Sequence, residues 1–83
     1  MSHPAMRAVT EENDEAERRF AQGVRVAEAL LFASHEPLAA EELGRMMPAG
    51  VDIVAVLSEL ERLYRPRGVN LARLAGKWMF RTA

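Results

Sequence analysis

The stretch Val24–Leu38, VRVAEALLFASHEPL, decides how the rest of the chain is read. It is the most apolar run in the sequence, and its spacing is helical. At about 100° per residue, Phe20, Val24, Ala27, Leu30, Leu31 and Ser34 share one face, with Arg25 and Glu28 opposite. A helix is expected over Phe20–Ser34. Val26 and Phe32 fall outside the stripe, one on each flank, and a helix with apolar residues beyond its main stripe packs on more than one side. Gly23 costs about 1 kcal/mol inside a helix and permits close approach of a neighbour. Ser34-His35-Glu36-Pro37 ends the helix, because the residue before a proline is pushed to an extended conformation. An apolar helix that stops at a tight corner is how small helical domains begin their core.

Downstream, two more helices follow. Ala40–Met47 reads as a short helix with Leu43, Met46 and Met47 facing inwards and Glu41 and Glu42 in the first turn, where the helix dipole favours acids. Its cap position is Ala39, which has no side-chain acceptor for the unpaired N–H groups. Pro48-Ala49-Gly50 terminates it. The third helix has the clearest signals. Asp52 is a good N-cap, and Ile53, Val56, Leu57, Leu60, Leu63 and Tyr64 cover an arc of about 120°. Pro66-Arg67-Gly68 stops it. From Val69 the period changes to two. Val69–Leu74 and Trp78–Thr82 are expected as strands joined by Ala75-Gly76-Lys77, with Gly76 supplying positive φ. Trp78 and Phe80 fall on one face, Met79 and Arg81 on the other. Three helices followed by a hairpin make a mainly α, α+β domain: a winged helix-turn-helix over residues 20–83.

Upstream, residues 1–19 are polar and acidic, and are expected as a disordered or partly helical leader. Five acids and no base lie between Glu11 and Glu17, whereas six bases and no acid follow from Arg62 onward. The net charge of −1 over 83 residues argues against a dedicated nucleic-acid binder. With no cysteine, disulfides and thiolate metal sites are excluded, and a reducing cytoplasm fits. No run approaches the ~18 apolar residues that span a membrane.

No residue pattern suggests catalysis, a cofactor or a metal. Ser34-His35-Glu36 contains the residue types of a triad, but triad members converge from separate elements. The glycines are spread over separate breaks and form no phosphate loop. Base reading by the third helix is disfavoured, since its outer face carries Ser58, Glu59, Glu61 and Arg62. On the wing, Arg67, Arg73, Lys77 and Arg81 are candidates for nonspecific phosphate contact. Val26 and Phe32 are candidates for a protein interface.

Glu28-Ala29-Leu30-Leu31-Phe32-Ala33-Ser34, then Glu36-Pro37-Leu38 and Glu41-Glu42-Leu43, resemble the start of segregation and condensation protein B (ScpB). LSELERLY (Leu57–Tyr64) is similar to that family's third helix. Gly68-Val69-Asn70-Leu71 and Gly76-Lys77-Trp78-Met79-Phe80-Arg81-Thr82 are similar to its wing, which closes on an arginine-threonine pair. The resemblance covers about Val24–Thr82. It implies a non-enzymatic, cytoplasmic and nucleoid-associated subunit of the bacterial SMC–ScpA–ScpB complex in chromosome condensation, segregation and cell division. It implies homodimerisation through this first winged-helix domain, binding to the kleisin ScpA and through it to SMC, and only indirect or weak DNA contact. It also implies a second winged-helix domain, which would begin where this sequence stops. Alanine at position 39 departs from the family's frequent serine or threonine. The alternative is a winged-helix transcription regulator that binds DNA directly.

Overall fold

A computed structural model describes residues 4–82, with side chains described for residues 13–81. The elements are α1 (Pro4–Ala33), β1 (Leu38–Ala39), α2 (Ala40–Arg45), α3 (Ile53–Tyr64), a 3₁₀ turn (Arg65–Arg67), β2 (Val69–Leu74) and β3 (Lys77–Thr82). This is a winged helix-turn-helix. Residues 1–3 of the expected leader, and Ala83 at the end of the expected domain, lie outside the described residues.

α1 starts at Pro4, ahead of the clear helical stripe from Phe20, so the leader expected as disordered or partly helical is helical over residues 4–19. Proline is well suited to a first helical position, where its missing N–H has no partner to lose. Alanine, glutamate and arginine then propagate the helix without an apolar stripe. Arg19 and Glu15 form an i,i+4 ion pair at 3.1 Å. Residues 13–19 are exposed, and Phe20 is the first of the described side chains of α1 to pack against the core.

The core is made by Ala27 and Leu31 of α1, Leu43 of α2, Val56, Leu57 and Leu60 of α3, and Leu71 of β2, all buried. At Gly23, α1 passes close to the segment before α3. A Cβ there would meet Val51 Cγ1 at 2.9 Å and Met47 Sδ at 3.2 Å.

α2 is shorter than expected, ending at Arg45 with Met46 as C-cap. Ala39 caps it without a side-chain acceptor, and compensation comes from the other direction. Its own N–H donates to Glu42 Oε1 at 3.3 Å, the half of a capping box that alanine can still take part in. α3 begins as expected, with Asp52 Oδ1 accepting from the Val54 N–H at 3.1 Å. Gly68, at φ 72°, takes the left-handed position that lets the chain turn from the 3₁₀ segment into the wing.

The sheet has three strands in the order β1-β3-β2, all antiparallel. β1 was not expected. It pairs Leu38 with Trp78 and Ala39 with Lys77, so the corner after α1 is tied to the wing. The hairpin turn is also tighter than expected. Leu74 pairs with Lys77, which places Lys77 in β3 and leaves Ala75-Gly76 alone in the turn. Both residues have positive φ, 52° and 78°, as a type I′ turn requires. An alanine in this region is strained by about 1–2 kcal/mol. Ala75→Asn is therefore expected to raise the unfolding free energy by about 1 kcal/mol, read as a higher urea midpoint with an unchanged slope.

Candidate interaction surfaces

On one flank of α1, Phe32 meets the wing. Its ring stacks on Phe80 with centroids 4.3 Å apart and planes at 27°. It also meets Tyr64 edge-on at 5.6 Å, and Tyr64 lies 4.8 Å from Phe80. The three rings join α1, α3 and β3. Phe32 nonetheless stays 54% exposed, so half of it is available beyond the domain. Glu28, placed opposite the core stripe by periodicity, turns to the same cluster and accepts a hydrogen bond from the Tyr64 hydroxyl. That bond, then burial, then the glutamate charge, raise the tyrosine pKa above its ordinary value.

A raised folded pKa means stability that is fully present below about pH 10 and lost as pH rises through the folded pKa. The chain has one tyrosine, so its phenolate absorbance reports Tyr64 alone. Its alkaline titration is expected above that of a free tyrosine, and Glu28→Gln should move the midpoint down.

On the other flank, Val26 is half-buried and lies one helical turn before Leu30. Leu30, Leu38, Leu43 and Met46 line an open apolar groove of about 430 Å³, with Glu42 and Arg45 at its polar rim. Met46, expected to face inwards, is 57% exposed. Met46 and Met47 both lie past the last turn of α2, where Met47 packs against the core beside Leu43 and Met46 does not. The sequence carries no local mark of this groove, since adjacent apolar residues can both be buried, as Val56 and Leu57 are on α3. Val26 and Phe32 are about 120° apart around α1, so they belong to two surfaces and not to one.

The four basic candidates are all exposed but are not gathered into one patch. The Arg67 guanidinium lies over the Tyr64 ring at 5.5 Å, and that of Arg73 over Trp78 at 5.8 Å. Arg73 pairs with Trp78 across the hairpin and shares its face. Lys77 and Arg81 occupy the opposite face by strand alternation.

On α3, Arg62 Nε and Nη2 donate to the Glu59 carboxylate at 2.7 and 3.0 Å. The bidentate bond holds the Glu59 pKa below its ordinary value and raises that of Arg62. Beside this pair, a cleft of about 260 Å³ opens between α2, α3 and the wing tip. Glu41, Val54, Ser58, Glu61, Arg73 and Trp78 are among its lining residues. Two glutamates thus border the side of α3 that a DNA-reading helix-turn-helix presents to phosphates.

Ser34-His35-Glu36 forms a local turn. The Ser34 hydroxyl donates to the Glu36 carbonyl at 2.6 Å and accepts from the Glu36 N–H at 3.2 Å. Among the described residues, no three acids or histidines are grouped to hold a metal ion, and no helix is long and apolar enough to cross a membrane.

Among curated proteins and among solved structures, no match is found. A sequence model of one protein family does match: that of the segregation and condensation complex subunit ScpB, over residues 25–83. The matched span starts within α1 and takes in the groove, the aromatic cluster and the whole wing.

Proposed function

Because the chain belongs to the family of the segregation and condensation complex subunit ScpB, we propose that it acts in that complex as a non-enzymatic adaptor. It dimerises, and it binds an ScpA-like kleisin and through it SMC. Its place is the cytoplasm, at the nucleoid. The observation that supports an adaptor is the apolar surface left over on both flanks of α1. The Phe32 ring is on one side, and the groove of Leu30, Leu38, Leu43 and Met46 is on the other, with half-buried Val26 one turn of α1 before Leu30. A domain matched over residues 25–83 has little core to spare, and apolar surface of this kind is what a protein partner covers.

Kleisin affinity, measured by calorimetry with the purified cognate kleisin, tests this reading. Met46→Glu and Val26→Glu place a charge where an apolar anchor would be buried. Each is expected to weaken binding at least tenfold, equivalent to about 1.4 kcal/mol. Phe32→Glu should do the same from the other flank, with a lower melting temperature from the lost ring stack. If all three variants bind as the wild type does, the flanks are not the kleisin surface. A sequence-selective gel shift abolished by replacing Arg73 and Lys77 would instead favour a transcription regulator.

A further inference from the structure

The wing has an unguarded edge. Leu74 and Lys77 flank a two-residue turn and so form a hydrogen-bonded pair. Pairs alternate along an antiparallel ladder. Ala72–Met79 and Asn70–Arg81 are therefore hydrogen-bonded as well, whereas Arg73–Trp78, Leu71–Phe80 and Val69–Thr82 are not. The N–H and C=O groups of Val69, Leu71 and Arg73 consequently point away from β3. β3 is the only strand beside β2, and among the described residues no other backbone hydrogen bond reaches these groups.

Edge strands are normally protected by proline, a charged side chain, a bulge or a covering element. Residues 69–74 contain no proline or glycine, and the register runs without a bulge from Val69–Thr82 to Leu74–Lys77. The one charge, Arg73, lies over its own Trp78 ring.

We propose that this edge is where a second copy of the chain adds, β2 against β2, to form a continuous six-stranded sheet about a two-fold axis. The inference rests on the dimerisation reading above and names its surface. The segment Val69-Asn70-Leu71-Ala72-Arg73 is self-complementary in one register. Leu71 faces Leu71 of the second copy, Val69 faces Arg73, and Asn70 faces Ala72. No like charges stand opposite each other. The two Arg73 side chains are about 13 Å apart along the strand, beyond the ~8 Å screening length at physiological salt. An isologous pair of this kind closes on itself and does not propagate.

The absence of native cysteine makes the register directly testable. Asn70 and Ala72 lie on the sheet face away from the core. In the proposed register they form a non-hydrogen-bonded pair with Cα atoms about 4.5 Å apart, within disulfide reach. Mixing N70C protein with A72C protein under mild oxidation should give a covalent dimer. N70C mixed with N13C, whose cysteine lies on exposed α1, should not. Arg73→Pro removes one outward N–H and leaves the β2–β3 ladder intact. It should weaken the dimer at least tenfold by sedimentation equilibrium while the helical circular dichroism is retained.

A dimer that neither cross-links between positions 70 and 72 nor responds to Arg73→Pro would overturn the edge proposal and leave dimerisation standing. A monomer at high micromolar concentration would remove both. Cross-linking that is lost when the kleisin is added at concentrations that keep the dimer would assign the edge to a strand of that partner and overturn the second copy.

Discussion

Leu60→Ala is expected to lower the unfolding free energy by about 2–5 kcal/mol. Leu60 is fully buried and belongs to the same core cluster as Ala27, Leu31, Leu43, Val56, Leu57 and Leu71. Truncation removes the transfer energy of the lost methyl groups and leaves a cavity in the core that the surroundings fill only in part. At roughly 0.05–0.15 kcal/mol per residue, a domain of about 60 residues has only about 3–9 kcal/mol in total. A single core leucine is therefore a large share of its stability. A urea titration followed by circular dichroism should show the midpoint collapse, with the protein partly unfolded before denaturant is added. Val54→Ala is the matched control on the same helix. Val54 is 63% exposed, and its loss should stay within about 0.5 kcal/mol. Equal effects at the two positions would mean that the core is not where the contacts place it.

Gly23→Ala is expected to destabilise the protein, although helix propensity alone predicts the reverse. Replacing glycine by alanine inside a helix is worth about 1 kcal/mol in favour of the variant. Against this, the new Cβ would lie 2.9 Å from Val51 Cγ1 and 3.2 Å from Met47 Sδ. The methionine can move aside. Val51 cannot do so easily, because a β-branched side chain is stiff at χ1. Overpacking typically costs about 1–3 kcal/mol, so the net change is a loss of up to about 2 kcal/mol. The double variant Gly23→Ala/Val51→Ala separates the two terms. Without the Val51 methyl groups, the clash is removed and the coupling energy should be favourable. A stabilised single variant would show that α1 and the Met47–Val51 segment are not in close contact.

Most of the architecture was legible in the residues. The stripe from Phe20 to Leu31 and the arc from Ile53 to Tyr64 gave two helices whose buried faces are those the periodicity named. Asp52 gave the start of α3, and the switch to period two at Val69 gave the wing. What escaped is instructive. β1 is two residues long, too short to have a period, and exists because Leu38 and Ala39 lie beside Trp78 and Lys77 in space. The turn is one residue tighter than the residues suggest, because Gly76 accounts for one positive φ, whereas alanine gives no sign that it supplies another. α1 runs back to Pro4 although its exposed residues 13–19 carry no apolar stripe, because propagation along an existing helix needs little more than tolerable helix formers.

The candidate surfaces divide in the same way. Val26 and Phe32 were identifiable as apolar residues outside the stripe. That Phe32 would spend half of its ring on Phe80 and Tyr64 was not, since those partners lie far along the chain. Nor was the diversion of Arg67 and Arg73 onto aromatic rings, which separates them from Lys77 and Arg81.

By itself, the sequence determined the kind of protein: an ScpB-family winged helix with apolar residues to spare on its first helix. Periodicity, caps and breaks are local properties, so they survive without coordinates. Only the tertiary structure decided which side chains remain available. It set Glu28 under Tyr64, turned Met46 outwards to line a groove, closed one side of the wing with β1 and left the β2 edge open. Each of these depends on a partner distant in sequence, and the energy of such a contact is set by where the fold brings two residues together, not by what either residue is.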